Sequence, residues 1–485
     1  METEKKVITL SWLDFDVRII AQSVKRLQNR IVNAKKAGRD RLVKKLQKLL
    51  VKSLYARVLA VKRVSENRGK KTAGVDKELL DNNGKKMRYV KALKIDKSTY
   101  QAMPLKRVEI PKKNGKTRPL GIPTMFDRCV QALYKLAIEP IAEIVADYNS
   151  YGFRAKRSTQ DAMKQIWLST CRKNSREWVL EGDIKGCFDN ISHKWLYDNI
   201  PLDKHILKQW LKSGFVKNQE LFPTTSGTPQ GGIISPILAN MVLDGIEEIV
   251  NKHNIEKRKM TNGISLNLST RFHFIRYADD WVVIGESPKH LRVIQKEIET
   301  FLALRGLSLS KEKTHISNIR DGFNFLGFHF RKYSNDKMII KPTKEGIKSL
   351  KSKIKDVFKK YRTATTKDLI NKLNPIIRGW AYYYRFVNSK KIFGSLDKYI
   401  WQKSFNWMNR IHQRRQTSKY YPKYFKKAPN SNSDVLHFAG KYIFRMSAIP
   451  IVEYIKVQAK ANPFDKEFDT YFTNRFFTLK NLTSF

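Results

Sequence analysis

Phe272-His273-Phe274-Ile275-Arg276-Tyr277-Ala278-Asp279-Asp280-Trp281-Val282-Val283-Ile284 sets two adjacent carboxylates between two apolar runs. Two strands meeting at a tight turn would present both acids at its tip. Upstream, Val179-Leu180-Glu181-Gly182-Asp183-Ile184 is a second short strand-like run carrying an acid. An isolated Asp-Asp pair is usually a solvated turn, because Asp is common in hairpin connections. A third acid on a neighbouring strand points instead to a pair of divalent cations beside a polynucleotide, as in a nucleic-acid polymerase.

Phosphoryl transfer explains the number of acids. Nucleotidyl transfer develops charge on the attacking 3′ oxygen and on the leaving pyrophosphate, and a two-metal site about 4 Å across clamps both. Mg²⁺ takes hard oxygen ligands, shared between one or two carboxylates and substrate phosphates. Asp183 and Asp279 are expected to bridge two Mg²⁺ ions, for which Mn²⁺ could substitute, with Asp280 as an outer ligand.

Between the first acid and the pair lies Gly227-Thr228-Pro229-Gln230-Gly231-Gly232-Ile233-Ile234-Ser235-Pro236-Ile237-Leu238-Ala239-Asn240. This stretch resembles the template-and-nucleotide loop of reverse transcriptases, in the form carried by group II intron-encoded proteins. Asp183-Ile184-Lys185-Gly186-Cys187-Phe188-Asp189 resembles their first catalytic block, Phe323-Asn324-Phe325-Leu326-Gly327-Phe328 their primer-grip hairpin, and Asn374-Pro375-Ile376-Ile377-Arg378-Gly379-Trp380-Ala381-Tyr382-Tyr383-Tyr384-Arg385 their thumb, or maturase, domain. The blocks follow in family order over nearly the whole chain.

The resemblance implies an α/β (α+β) right-hand polymerase: fingers and palm with an antiparallel catalytic sheet, an all-helical thumb and a small basic C-terminal module. Expected boundaries are 1–85 for an N-terminal helical extension, 86–335 for fingers and palm, 336–420 for the thumb and 421–485 for a DNA-binding module. It implies catalytic roles for Asp183, Asp279, Asp280 and Lys313, the last as a general acid toward pyrophosphate. Ile184 joins the metal set. The nucleotide would meet Lys112, Arg118, Ile184, Phe188, Gln230 and Gly231, with Phe188 as the ring that excludes a 2′-hydroxyl. Template and primer would meet Tyr277, Ala278, Pro229, Phe325, Leu326 and Gly327. Expected partners are the chain's own group II intron RNA, an RNA template with a DNA primer or target DNA, and dNTPs.

Composition supports a polyanionic partner independently. Lys and Arg number 95 against 44 Asp and Glu, a formal charge of +51 across 485 residues, which would oppose compaction unless neutralised. An anionic membrane is the competitor, but no run approaches the ~20 apolar residues that span a bilayer. The opening Met-Glu-Thr-Glu-Lys-Lys does not read as a signal peptide, and Glu2, Glu4, Asp14 and Asp16 argue against an organellar transit peptide. Cys129, Cys171 and Cys187 lack paired spacing, so neither a disulfide framework nor a zinc knuckle is indicated. The expected location is a bacterial cytoplasm, within a ribonucleoprotein, as monomer or homodimer.

Val24, Leu27, Ile31 and Ala34 recur at helical spacing among Lys25, Arg26, Arg30, Lys35 and Lys36, and a second helix is expected over about 42–64. Residues 107–123 alternate around Asn114-Gly115, a hairpin signal that would bring Lys112 and Arg118 together. Asp127-Arg128, and Tyr151-Gly152-Phe153-Arg154 with Ser158-Thr159, would complete fingers and upper palm, or merely support the fold.

Helices are expected over 343–362, 366–388 and 393–416. Trp380 and some of Tyr382, Tyr383 and Tyr384 should be core, while Arg378, Arg385, Arg410, Arg414 and Arg415 are candidates for RNA phosphate contacts. Residues 421–434, rich in Pro, Asn, Ser and Lys, read as a linker. Residues 446–485 contain neither Cys nor His, so target-strand cleavage by a Cys- and His-containing endonuclease is not expected. Two rivals share these palm residues: a binding-only splicing factor, and a domesticated reverse transcriptase in antiphage defence or repair.

Overall fold

The computed structural model describes residues 11–111, 115, 117–229, 231–260, 263–268, 271–414, 416–429 and 431–483. These form two compact units. The first comprises residues up to Ser158, Val179–Ile316 and Val457–Phe472; the second comprises Thr159–Trp178, Ser317–Lys456 and the segment from Thr473 onward.

The catalytic sheet has the strand order His315–Asn318, Trp178–Asp183, Asp280–Gly285, His273–Tyr277. The last two strands are an antiparallel hairpin in which Tyr277 faces Asp280. Phe274, Ile275, Val282, Val283 and Ile284 are all buried, so both faces are covered and the strands read as continuous apolar runs rather than alternating ones. One cover is helix Pro288–Ala303, capped by the Ser287 side chain, whose buried face is Leu291, Ile294, Ile298 and Leu302. Full burial of each such side chain contributes about 1.5–3 kcal/mol.

Helix Met125–Val145 is buried along nearly its whole length, beneath Val17–Lys36, Asp40–Lys52 and Leu54–Glu66. The single helix expected over 42–64 is thus two, because Ser53 takes an extended backbone that ends one helix and begins the next. Arg128 ties this region together, donating to the carbonyls of Pro123, Gly69 and Thr72. Asp127 accepts from Tyr100, Thr124 and Met103. The pair therefore supports the fold.

The fingers sheet runs Thr117–Ile122, Leu105–Pro111, Phe215–Lys217, Glu220–Phe222, and its first two strands are the expected hairpin, with Ile110 opposite Arg118. Within the same unit the acids of the late segment return to the first helix: Lys25 pairs with Asp469, and Lys36 with Asp465 and Glu467. Lys35 meets Asp40. Three cations of that helix thus already have carboxylate partners.

In the second unit, helices Lys344–Lys360, Thr366–Tyr384 and Lys390–Ile411 appear where apolar spacing placed them. Thr343 and Thr365 cap the first two through their hydroxyls. Residues 421–434 are not a linker. Tyr421 closes on Asp434 through a 3.0 Å hydrogen bond, Phe425 is buried, and strands Phe425–Lys427, Asp434–Phe438 and Lys441–Tyr442 make a small sheet. No described helix is long and apolar enough to cross a membrane.

Candidate active site

The catalytic hairpin turns over two residues, Ala278 and Asp279, between paired Tyr277 and Asp280. Ala278 has φ +58°, a left-handed conformation costing an L-residue roughly 1–2 kcal/mol. The surroundings enforce it. A Cβ at Gly152 would lie 2.3 Å from the Ala278 nitrogen, so glycine there lets the Tyr151–Gly152 backbone press against the turn. Tyr151 N donates to the Arg276 carbonyl, and Arg276 N to that of Asn149. On the adjacent strand, a Cβ at Gly182 would lie 2.1 Å from the Trp281 ring, so the residue before Asp183 must be glycine for the indole to pack there.

Asp183 is anchored at its backbone, its carbonyl accepting from Ser310 N at 2.8 Å, while Lys185 N donates to the Ser308 carbonyl at 2.9 Å. Ile184 is buried and bridges Leu309. The 306–314 segment so positioned carries Lys313, whose ammonium donates to Asp183 Oδ2 at 2.9 Å. The bond raises the Lys313 pKa, keeping the side chain protonated.

Asp280 is pushed up to about 6, first by burial and then by the charges of Asp279 and Asp183. The residue keeps an exposed edge, and solvent there weakens both the desolvation and the repulsion without reversing their upward direction. Burial pushes the neighbouring Cys187 thiol up to about 12, leaving it an inert apolar group.

Among the described residues, no group of three or more His, Cys, Asp or Glu side chains is assembled closely enough to hold a metal. The donor chemistry nevertheless fits Mg²⁺ or Mn²⁺. Asp183, Asp279 and Asp280 are hard oxygen ligands with excess mutual repulsion, and a cation, the Lys313 ammonium, is already drawn to Asp183.

Beside the 227–234 segment, Phe188 is buried in the short helix Cys187–Asn190, and its carbonyl accepts from Thr228 N at 2.7 Å. Gly227, at φ +82°, lies against the Phe188 and Asp189 carbonyls. The loop then turns at Pro229, whose carbonyl accepts from Gly232 N and Ser235 Oγ, and Gln131 braces it through Ile233 N. Gly231, at φ +119°, would with a Cβ meet the Gly121 carbonyl at 2.8 Å. The loop therefore joins the first catalytic block to the base of the fingers hairpin. Arg118 is exposed on that hairpin. Lys112, Gln230 and Arg415 lie outside the described residues.

Within the second unit, Phe325 pairs with Phe328 across a two-residue turn, Leu326-Gly327, at φ +50° and +80°. Positive φ at both positions matches the twist of tight hairpins, but leucine needs outside help to hold it. The aromatic run supplies that help: Tyr383 Oη donates to the Leu326 carbonyl at 2.9 Å and Tyr384 Oη to the Gly327 carbonyl at 3.0 Å. The Tyr383 ring stacks on Phe328 at 5.2 Å.

Arg378, Arg410 and Arg414 are exposed. Arg385 is a correction. It has no accessible surface, and its guanidinium lies 5.5 Å from the Tyr382 ring centre and 5.8 Å from that of Phe386.

Two supporting residues, Asn240 and Arg276, were given no role by the sequence reading, and a third, Gly152, was named there only among residues completing fingers and palm or supporting the fold. Asn240, within helix Ser235–Leu243, bonds both Gly152 and Arg276; Gly152 makes room for the turn; Arg276 is fully buried beneath it. A lone arginine inside an otherwise apolar strand was the available signal, because a buried charge demands partners.

Family models match most of the chain. Reverse transcriptase (RNA-dependent DNA polymerase) matches residues 110–330, the N-terminal domain of reverse transcriptase 12–93, and the group II intron maturase-specific domain 347–425. Protein YkfC of Escherichia coli K12 is 34% identical over 257 residues, covering 47% of this chain and 67% of that protein. Group II intron-encoded protein LtrA of Lactococcus lactis subsp. cremoris is 31% identical over 332 residues, covering 56% of this chain and 54% of LtrA. A putative COX1/OXI3 intron 1 protein of Saccharomyces cerevisiae is 27% identical, covering 58% and 39%. The chain thus spans only about half, or less, of the length of the last two.

Proposed function

The chain belongs to the reverse transcriptase family encoded by group II introns, and from that premise we propose that it is an RNA-directed DNA polymerase that also binds its own intron RNA to assist splicing, reverse splicing and target-primed DNA synthesis. The observation that carries the reading is that Asp280 feels the charges of both Asp279 and Asp183, with Lys313 bonded to the latter, in a chain of charge +51.

Two Mg²⁺ ions, held by the three carboxylates and the Ile184 main-chain carbonyl, would offset charge on the attacking 3′ oxygen and on pyrophosphate. The protein's own part is to aim these oxygens from a rigid sheet, to seat the nucleotide between the 227–240 loop and the fingers hairpin, and to hold a proton on Lys313. Intron binding requires no protein catalysis; it calls on exposed cations such as Arg378, Arg410 and Arg414. The test is extension of a DNA primer on an RNA template with dNTPs and Mg²⁺, beside a splicing assay on the intron RNA. Absence of templated product overturns the reading.

Phe188→Val should let the enzyme extend with rNTPs, because a smaller side chain leaves room for the 2′-hydroxyl. Parallel extensions with rNTPs alone and dNTPs alone measure it. Unchanged discrimination would reduce Phe188 to a core residue.

Asp280 gives a pH prediction. With its folded value raised, the unfolded chain ionises first as pH climbs from the usual 3.8 toward about 6, so in divalent-free buffer this group costs stability across that window and above it. Asp280→Asn should therefore melt higher than wild type at about pH 8 but not at about pH 4. Added Mg²⁺ should raise the wild-type melting temperature more than the variant's. Thermal melts with and without metal decide it, and equal responses would remove Asp280 from the metal set.

A further inference from the structure

Beneath the catalytic turn, several side chains with no part in the chemistry above converge on a single peptide. The Arg276 guanidinium has no accessible surface and is held by Asp244, with Asp147 at 3.7 Å. Its Nη1 turns the other way, toward Asn240 Oδ1 at 3.2 Å and the Ala278 carbonyl at 3.4 Å. Asn240 Nδ2 donates to the Gly152 carbonyl at 2.8 Å, and Gly152 is the residue that presses on the Ala278 nitrogen. Ala278 is thus gripped at its carbonyl by Arg276 and at its nitrogen side by a backbone that Asn240 holds in place. An alanine at φ +58° needs such a grip, and the next residue is Asp279.

We propose that Arg276 and Asn240 are positioning residues that clamp the Ala278 peptide, aiming Asp279 at the catalytic cation and locking the turn to helix Ser235–Leu243, which directly follows the Pro229 loop. The inference rests on the polymerase reading. It adds that the placement of the nucleotide loop and the aim of the metal ligand are set by one shared hydrogen-bonded unit.

The test uses Arg276→Lys, which keeps a charge against Asp244 but loses the fork, and Asn240→Ala, which leaves the buried charge alone. Mn²⁺ affinity is read by paramagnetic resonance titration without nucleic acid, half-saturating Mg²⁺ by primer extension, and RNA affinity by filter binding. Both variants should lose about 10- to 100-fold in Mn²⁺ affinity and need correspondingly more Mg²⁺, the usual cost of removing a group that orients a metal ligand. RNA affinity should not change. Adding Ala278→Gly to Arg276→Lys should restore part of the loss, since glycine holds a positive φ unaided; a residue that only supports the core would not be rescued from the tip. Wild-type Mn²⁺ affinity in both variants, or no rescue, overturns the proposal. If Arg276→Lys does not fold, Asn240→Ala decides alone. If the wild-type protein makes no DNA, the polymerase reading falls, and the Mn²⁺ titration still judges the clamp.

Discussion

Asp183→Ala and Asp279→Ala should each abolish RNA-templated DNA synthesis while leaving intron RNA affinity within a few-fold of wild type. Both carboxylates are half-exposed, Asp183 at the end of a strand and Asp279 in the hairpin turn, and neither holds the core together, so the fold should survive. What is lost is the means of neutralising the reacting oxygens, a contribution of several kcal/mol, or on the order of 10³-fold in rate. Affinity for RNA comes from lysine and arginine elsewhere, and removing an acid from a chain of charge +51 cannot weaken that attraction. Asp183→Ala also frees Lys313 from its 2.9 Å partner, so its Lys313 pKa should fall. Primer extension and filter binding on the same preparation decide the matter; retained extension in either variant would sink the assignment of the acids.

The second large effect is expected from Arg378→Glu, Arg410→Glu and Arg414→Glu combined. All three cations are exposed on or beside the helices of the second unit, whose apolar positions suffice for packing. Each lost charged contact is worth about 1.5–3 kcal/mol, and the introduced carboxylates add repulsion. Affinity for intron RNA should therefore fall by on the order of 10³-fold or more, and the log–log salt slope should flatten by about 0.7–0.9 per phosphate contact removed. Extension at saturating template should change far less. Arg385→Ala is the contrasting control: a sealed side chain among aromatic rings, its loss should lower the melting temperature first. If the folded triple variant binds RNA and splices like wild type, the second unit is not the RNA-facing surface.

The acidic hairpin turn was legible because its signal is short-ranged. A two-residue turn between apolar runs needs only neighbouring residues to form, and the structure pairs Tyr277 with Asp280 as that reading requires. The helices of the second unit were legible for the same reason, since apolar spacing reports a periodicity that holds before any packing occurs. The reading failed where composition stood in for contacts. Residues 421–434 have the composition of a linker, yet Phe425 is buried and its strand, Phe425–Lys427, pairs with Asp434–Phe438. Arg385 sits in the same helical register as exposed cations, but nothing local distinguishes a guanidinium facing solvent from one closed in by Tyr382 and Phe386.

The sequence by itself determined the family and the elements that carry its blocks: three acids, the blocks around them in order, and a charge that calls for nucleic acid. Only the tertiary structure decided which groups meet. Lys313 lies 130 residues from Asp183, Asn240 lies 88 from Gly152, and Tyr383 lies 57 from the Leu326 carbonyl it holds. Turn and helix preferences act through a few adjacent dihedrals and are written in neighbouring residues. Such distant pairings exist only after chain entropy has been overcome by burial of the whole core, and they are therefore properties of the packed molecule.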